Sequence, residues 1–318
     1  MSTLGPCRVL VVGDLADPHV QAVTKGLPPE GLVVIDAESL PRTAGRIGLD
    51  ESVLHDLTGK PVVLSLAVPI RGWVRRLAPA GWDGGVVLGS HRAAVLASRL
   101  ALLGAILRDP AVTWLTPVDA LVAAENKLVQ YRAAIRLGVR VPATVVAHDA
   151  GALAAELGDP FLLKPLGPGN FADDTGGQQV TYARVVSPQH VAGVDLTDAP
   201  FLAQQVMIAT RHLRVVTVLD HAWSAALDAT GLPHDWRRHG PAHHAFKYSD
   251  QPSELSAAAI ELADDLGVGY SSQDWLLDND GPVFLDLNPG GQWLFLPEAT
   301  TQPVTQAVAS WLLDGPRT

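Results

Sequence analysis

The first third of the chain carries its apolar residues in short, unbroken runs: RVLVVGD (8–14), LVVID (32–36) and PVVLSLAV (61–68). Continuous rather than alternating runs suit strands of a parallel sheet covered on both faces. Asp17-Pro18 follows the first run and supplies an N-cap and an N1 proline. SHRAAVLASRLALLGAILRD (90–109), rich in Ala and Leu, predicts a long helix. The alternation of strands and helices predicts an open α/β domain to about residue 115. No GxGxxG follows the first strand, so the dinucleotide fingerprint is missing.

From Thr116-Pro117 the pattern changes to short helices and antiparallel strands. Residues 125–138 place Leu128, Tyr131 and Ile135 on one helical stripe, with Gly138 as terminator. A strand (143–147), a helix capped by Asp149 and the strand FLLKPL (161–166) are expected next, followed by a polar, Gly-rich loop at 167–179. Further strands are predicted at 200–206, 213–219 and 222–227. A helix spans 253–267, with Ser253 as N-cap and Gly267 past its end. QDWLLDNDGPVFLDLN (273–288) reads as a hairpin turning at Asn279-Asp280-Gly281.

At 318 residues the chain is long enough for about two domains of ~150 residues. With 47% apolar and 18% charged residues, wholesale disorder is excluded. A net charge of −10 argues against a general nucleic-acid binder. The lone Cys7 excludes a disulfide framework and a multi-cysteine zinc site. No secretory signal is visible and no apolar stretch reaches the ~20 residues a bilayer demands, so a soluble, cytoplasmic protein without a membrane partner is expected. Of the 23 basic residues only five are Lys: Lys25, Lys60, Lys127, Lys164 and Lys247.

The hairpin is the segment richest in chemistry. Alternation puts Asp286 and Asn288 on one strand face, and the turn brings Asp274 opposite Asp286. Facing carboxylates repel unless a hard divalent cation sits between them, with Asn288 as a neutral oxygen ligand; the competing reading is a solvated sheet face. The loop at 167–179 follows Lys164 and either cradles phosphates or is an ordinary loop; it has no Walker A sequence. Arg75-Arg76 and Arg237-Arg238 flank Trp73 and Trp236 and suggest capture of carboxylates or phosphates. Arg132 and Arg136 read as a solvated helix face. His234, His239, His243 and His244 crowd together, but Pro241 and the missing fourth ligand speak for a solvated loop over a zinc site. No GxSxG elbow supports a hydrolase. Trp293 is a core residue or lines a substrate cleft.

Lys127 on a helix, Lys164 on a strand, the Gly-rich loop, Gln204-Gln205-Val206, Leu213-Arg214-Val215, Asp274 and Asp286-Leu287-Asn288-Pro289 follow in the order of an ATP-grasp ligase. The segments GWVRR (72–76), AAENKLVQYRAA (123–134), HLRVVTVLDHAWSAALDA (212–229), HDWRR (234–238) and FLDLNPGGQW (284–293) resemble more narrowly the ligases that mature microviridin-type (graspetide) ribosomal peptides. The resemblance implies an α/β (α+β) ATP-grasp fold in three parts: a Rossmann-like N-terminal domain (1–115), a central lid (116–199) and a C-terminal subdomain with the metal site (200–318). It implies ATP and Mg²⁺ as cofactors. Lys127 and Lys164 would meet the α- and β-phosphates, and Gln204-Gln205-Val206 the adenine. Asp274, Asp286 and Asn288 would hold Mg²⁺, and Arg214, with Lys164, would serve catalysis. Arg75, Arg76, Asp235, Arg237, Arg238 and Gln292 form the expected substrate-binding set. Asp286 and Gln205 stand where a Glu is usual, and His212 where an acid is.

The implied reaction activates Asp or Glu side chains of a ribosomal precursor peptide as acyl phosphates, which Thr, Ser or Lys side chains attack to close ester or amide rings. The peptide and a second copy of the chain, in a homodimer, are the implied partners. Two other readings stay open: an ATP-grasp ligase adding an amino acid to a small-molecule carboxylate, and a nucleotide- or leader-binding protein without turnover.

Overall fold

The computed structural model describes residues 5–146, 150–166, 170–172, 177–191, 201–250 and 252–314. The chain forms two compact units. One comprises residues 1–122, 267–270 and 301–318, the other residues 123–266 and 271–300.

In the first unit the elements run β1 (Gly5–Pro6), β2 (Val9–Val12), α1 (Pro18–Thr24), β3 (Leu32–Ile35), α2 (Leu40–Thr43), β4 (Ala44–Ile47), β5 (Glu51–His55), β6 (Pro61–Ser65), β7 (Ile70–Val74), α3 (His91–Ile106) and β8 (Val112–Trp114), with α4 (Val118–Ala124) at its end. Strands β3-β2-β7-β8 make a parallel sheet. Every residue of β2 and β3 is buried, as their unbroken apolar runs predict. Leu10, Val12, Val33 and Ile35 share one core with Leu103 and Ile106 of α3. Asp17 caps α1, accepting from the His19 N–H at 2.7 Å, and Ser90 caps α3.

The run at 61–68 departs from expectation. It forms β6, which pairs with β1 and, antiparallel, with β5 in a second sheet of order β1-β6-β5-β4. Its burial alternates, so only one face meets the core. The parallel neighbour of β2 is β7, whose strand signal is masked by Arg71 and Gly72. Gly72 is required there, because a Cβ would lie 2.5 Å from the Trp114 ring that crosses it.

In the second unit follow α5 (Lys127–Arg136), β9 (Thr144–Val146), α6 (Ala150–Leu157), β10 (Phe161–Pro165), β11 (Asn170–Ala172), β12 (Gln178–Val180), β13 (Arg184–Val186), α7 (Pro188–Val191), β14 (Phe201–Gln205), β15 (Arg211–Val218), β16 (His221–Asp228), β17 (Lys247–Tyr248), α8 (Ser253–Asp265), β18 (Tyr270–Asp278) and β19 (Gly281–Asn288); α9 (Glu298–Asp314) begins here and runs into the first unit. Strands β13-β10-β14-β9 form one antiparallel sheet over a small core of Leu153, Leu157, Phe161 and Leu163. A five-stranded sheet has the order β17-β16-β15-β18-β19, with β19 at its edge.

Several local expectations change. The segment 167–179 is not loop throughout: β11 and β12 pair within it, while 167–169 and 173–176 lie outside the described residues, as does Asp149, the expected cap of α6. In α5 the buried positions are Gln130, Tyr131, Ala133 and Ala134, and Ile135 is exposed. The stripe drawn through 128, 131 and 135 gave weight to hydrophobicity where α5 instead buries a glutamine. Helix α8 starts from Pro252 with no side-chain cap, so Ser253 is its first residue rather than its N-cap.

Candidate active site

The predicted hairpin of β18 and β19 forms in the expected register. Asp274 faces Asp286 directly, and Ser272 faces Asn288. Between Asp274 and Trp275 the register slips by one, leaving Leu285 as a bulged residue. The bulge breaks the simple alternation of 283–288, so Val283 and Phe284 are both buried while Asp286 stays half-buried.

Two facing carboxylates are held together here by cations from three other segments. One oxygen of Asp274 is 3.1 Å from Nη1 of Arg214, and Nη2 of Arg237 donates to the other. Asp286 accepts from Nζ of Lys127 at 2.9 Å. Burial by itself would raise the Asp274 carboxyl; Arg214 and Arg237, helped by Lys127, overcome it and hold the group below the usual carboxylate range. The attraction of Asp274 likewise outweighs burial at Arg237 and keeps that guanidinium charged.

Each cation has a structural reason for its place. Arg214 is two residues from His212 on β15, so both project from one face. Its register partner is the small Ala225, and its guanidinium lies 5.6 Å from the Phe295 ring. Arg237 sits in a 3₁₀ turn, Trp236–Arg238, capped by the buried Asp235, which accepts from the Arg237 backbone N–H (3.2 Å) and Nη1 (3.3 Å). Lys127 opens α5, where Asn126 caps the helix through Leu128 and Val129 N–H groups. Lys164 on β10 donates to the Tyr131 hydroxyl at 2.9 Å, and that hydroxyl donates to the Leu285 carbonyl at 2.7 Å. Burial pushes the Lys164 ammonium down to about 8 against the pull of Asp286, and pushes the Tyr131 phenol up. Burial also lowers His212, which is therefore neutral at neutral pH.

Beside these groups the second unit has a cavity of about 210 Å³, lined among others by Leu162, Gln204, Val206, His212, Leu276 and Leu285. Its lining is mostly apolar, with Gln204, Gln205, His212 and His234 as the polar side chains, a composition suited to a flat heterocycle. Gln204 is buried and donates to Thr144 Oγ1 at 2.8 Å. Gln205, exposed at the end of β14, also lines the cavity, and its N–H donates to the Ala143 carbonyl at 2.9 Å.

The donor set of Asp274, Asp286 and Asn288 fits Mg²⁺. It is all oxygen, and the ladder already opposes the two carboxylates. Asn288 Oδ1 accepts from the Gly290 N–H at 2.9 Å. Among the described residues no group of three or more His, Cys, Asp or Glu side chains is placed to share a metal, so this site would rely on the amide oxygen and on non-protein ligands.

The remaining expected site residues fall elsewhere. Arg75 belongs to the first unit, where its buried side chain meets Asp17 (3.2 Å) and His19 (3.3 Å). In this structure its partners are therefore these two side chains of the first unit. Arg76 is more exposed and lies 3.8 Å from Asp17. Arg238 and Gln292 are exposed, and Trp293 is fully buried, a core residue rather than a cleft wall. His243 packs edge-on against Trp236 and Phe295. The sequence reading passed over Gln130 and Phe295, and took Tyr131 for a core residue only. Gln130 and Tyr131 sit three and four residues after Lys127, the helical spacing that places all three on the face toward β19.

No protein-family model matches the chain, and no curated protein matches it. Solved structures do. The macrocyclase MdnC of Microcystis aeruginosa MRC, bound with precursor peptide MdnA, superposes with a TM-score of 0.79 at 20% identity, covering 96% of this chain and 99% of that one. A RiPP-associated ATP-grasp ligase of Chryseobacterium gregarium, in complex with ADP and a leader and core peptide, gives a TM-score of 0.83 at 18% identity, with 97% of each chain covered. The ATP-grasp ligase PsnB with a phosphomimetic variant of its minimal precursor, Mg and ADP gives 0.71 at 19% identity, covering 96% and 99%. The chain thus has the fold of the ATP-grasp ligases over nearly its whole length.

Proposed function

We propose that the protein is an ATP-dependent ligase that crosslinks a ribosomal precursor peptide through side-chain ester or amide bonds. The observation that carries this reading is the assembly, within one compact unit, of four cations and three carboxylates beside a heterocycle-sized cavity. Lys127, Lys164, Arg214 and Arg237 supply the positive charge, and Asp235, Asp274 and Asp286 the negative. The shared fold with peptide- and nucleotide-bound ligases supports it.

In this reading adenine occupies the cavity beside Gln204–Val206, and the segment 116–199, which carries β10, serves as lid between an N-terminal domain (1–115) and a C-terminal subdomain (200–318). Mg²⁺, when bound by Asp274, Asp286 and Asn288, neutralises charge at the β- and γ-phosphates. Lys127 and Lys164 exchange Asp286 and Tyr131 for phosphate oxygens. A peptide carboxylate oxygen attacks the γ-phosphorus, the bond to the ADP oxygen breaks, and an acyl phosphate forms. A side-chain hydroxyl or amine then attacks the acyl carbon and loses its proton as phosphate departs. Arg214 faces the charge that develops in both steps. Arg237 and Arg238 hold the acidic substrate, with Asp235 fixing Arg237 and with Arg76 and Gln292 as further contacts. The chain supplies position and charge rather than a covalent nucleophile. A cytoplasmic homodimer completes the proposal; no helix among the described residues is long and apolar enough to cross a membrane.

The test is incubation with Mg-ATP and an acidic, Thr-rich precursor peptide encoded beside the gene. Each ring formed removes one water, so peptide mass falls in steps of ~18 Da as ADP and phosphate accumulate. An unchanged peptide with turnover of a free amino acid points instead to a small-molecule ligase. Rings formed by both Asp286→Ala and Asn288→Ala variants refute the metal assignment.

A further inference from the structure

Strand β19 lies at the edge of its sheet, so among the described residues one side of its backbone has no strand neighbour. Unpaired edge groups are normally exposed to water or covered. At Leu287 a side chain covers them. Gln130 Oε1 accepts from the Leu287 N–H at 2.9 Å, and Gln130 Nε2 donates to the Leu287 carbonyl at 2.7 Å. Nε2 also donates to the Ala124 carbonyl at 2.6 Å, which fixes the amide's orientation from the other side. Gln130 is 1% exposed. A primary amide presents one acceptor and one donor side by side, as a backbone neighbour does, so Gln130 pairs with β19 in place of a sixth strand.

Its position matters because Leu287 stands between Asp286 and Asn288. The same face of α5 grips the residues on either side of the bulge's exit: Lys127 holds Asp286, and Tyr131 holds the Leu285 carbonyl. Three consecutive residues of β19 are thus fixed by three side chains of one helix. A buried amide is costly unless satisfied, and here both of its ends are used. A leucine at position 130 would fill the space equally well.

We infer that Gln130 is a positioning residue: it fixes the backbone between Asp286 and Asn288 and thereby sets the affinity of the site for a divalent cation with nucleotide. The inference rests on the ligase reading for its ligand, but not for its clamp. Gln130→Met keeps the bulk and removes both hydrogen bonds to Leu287. Gln130→Glu keeps an acceptor for the Leu287 N–H, but when ionised it faces two carbonyls without a proton to give them. Protonation restores one donor, so the Glu variant recovers at low pH and the Met variant does not.

Two measurements on the full chain test this. Amide hydrogen exchange reports the clamp: exchange across 285–288 accelerates at least about tenfold in Gln130→Met while the β15–β16 strands keep their protection. Binding of Mn²⁺ with ADP, followed by electron paramagnetic resonance, reports the consequence: affinity falls about tenfold or more in Gln130→Met, and in Gln130→Glu the loss shrinks as pH falls from 8 to 5.5. Wild-type Mn²⁺·ADP affinity in Gln130→Met overturns the inference, as does a loss in Gln130→Glu that does not vary with pH. If instead the wild-type chain binds no Mn²⁺·ADP although the exchange contrast at 285–288 is present, the ligase reading has failed and the clamp is structural only.

Discussion

At the scale of single residues, the site is a charge balance in which each carboxylate has a cation within reach. Asp274 is the most committed, since Arg214 and Arg237 share it. Asp274→Asn leaves two guanidiniums crowded without a counter-charge. After discounting for the half-exposed Arg237 side chain, the cost is about 2–3 kcal/mol. A thermal melt lowered by several degrees, with loss of Mg²⁺·ADP binding, is the expected outcome; an unchanged melt shows that the pairs contribute no net stability. Lys164 makes a pH prediction. With its ammonium at about 8, the charge that the proposed function sets against phosphate is present below that pH and lost above it. Mg²⁺·ADP affinity is therefore flat near pH 7 and falls from about pH 8 upward, approaching tenfold per unit. Calorimetric titration from pH 6.5 to 9.5 checks it, and Lys164→Arg should flatten the profile because a guanidinium stays charged. These residues were legible from type and order alone, except where burial decides. Nothing in the sequence marks Arg75 as interior and Arg76 as more exposed; only the fold separates two adjacent arginines.

At the scale of elements, the hairpin of β18 and β19 was the best-read part of the chain, because an Asn-Asp-Gly turn fixes register and register fixes which side chains face one another. Its bulge at Leu285 was invisible, since a bulge depends on the partner strand and on the helix covering the edge. Helix α5 was found but its buried face was misplaced: hydrophobic periodicity has no means of recognising a glutamine that replaces a strand. The Gly-Gly-Gln-Trp turn after β19 shows a tighter constraint. A Cβ on Gly291 would come 2.4 Å from the Ser272 Cβ, opposite the strand end that carries Asn288. Gly291→Ala should therefore cost about 1–3 kcal/mol and push the turn off β18. Reduced Mn²⁺·ADP affinity in Gly291→Ala, recovered in part by adding Ser272→Gly, is the expected pattern in a double-mutant cycle. Additive effects of the two changes would show that the contact does not control the turn.

At the scale of the whole molecule, the sequence's acidity takes on a specific meaning. On the proposed reading a chain of net charge −10 has to bind ATP and an acidic peptide and must concentrate its cations, and two of its five lysines lie in one cluster with Arg214 and Arg237. What no local pattern reveals is the path of the chain between units. Residues 267–270 interrupt the second unit and residues 301–318 follow it, yet both belong to the first, so no single boundary along the sequence divides the two units. Helix α9 makes that return consequential. It buries Val304, Val308, Trp311 and Leu312 almost completely, and its Trp311 ring lies 4.9 Å from the Arg71 guanidinium of β7. Burying four such side chains contributes about 6–12 kcal/mol, comparable to the whole stability of a typical domain. Truncation after Thr300 should therefore unfold the first unit and spare the second, which holds every member of the charge cluster. Limited proteolysis with mass spectrometry reads this directly: cleavage spreads through 5–122 while fragments spanning 123–266 persist. Protection of 5–122 in the truncated chain would show that the parallel sheet and α3 suffice without α9, and that its buried face contributes far less than its area implies.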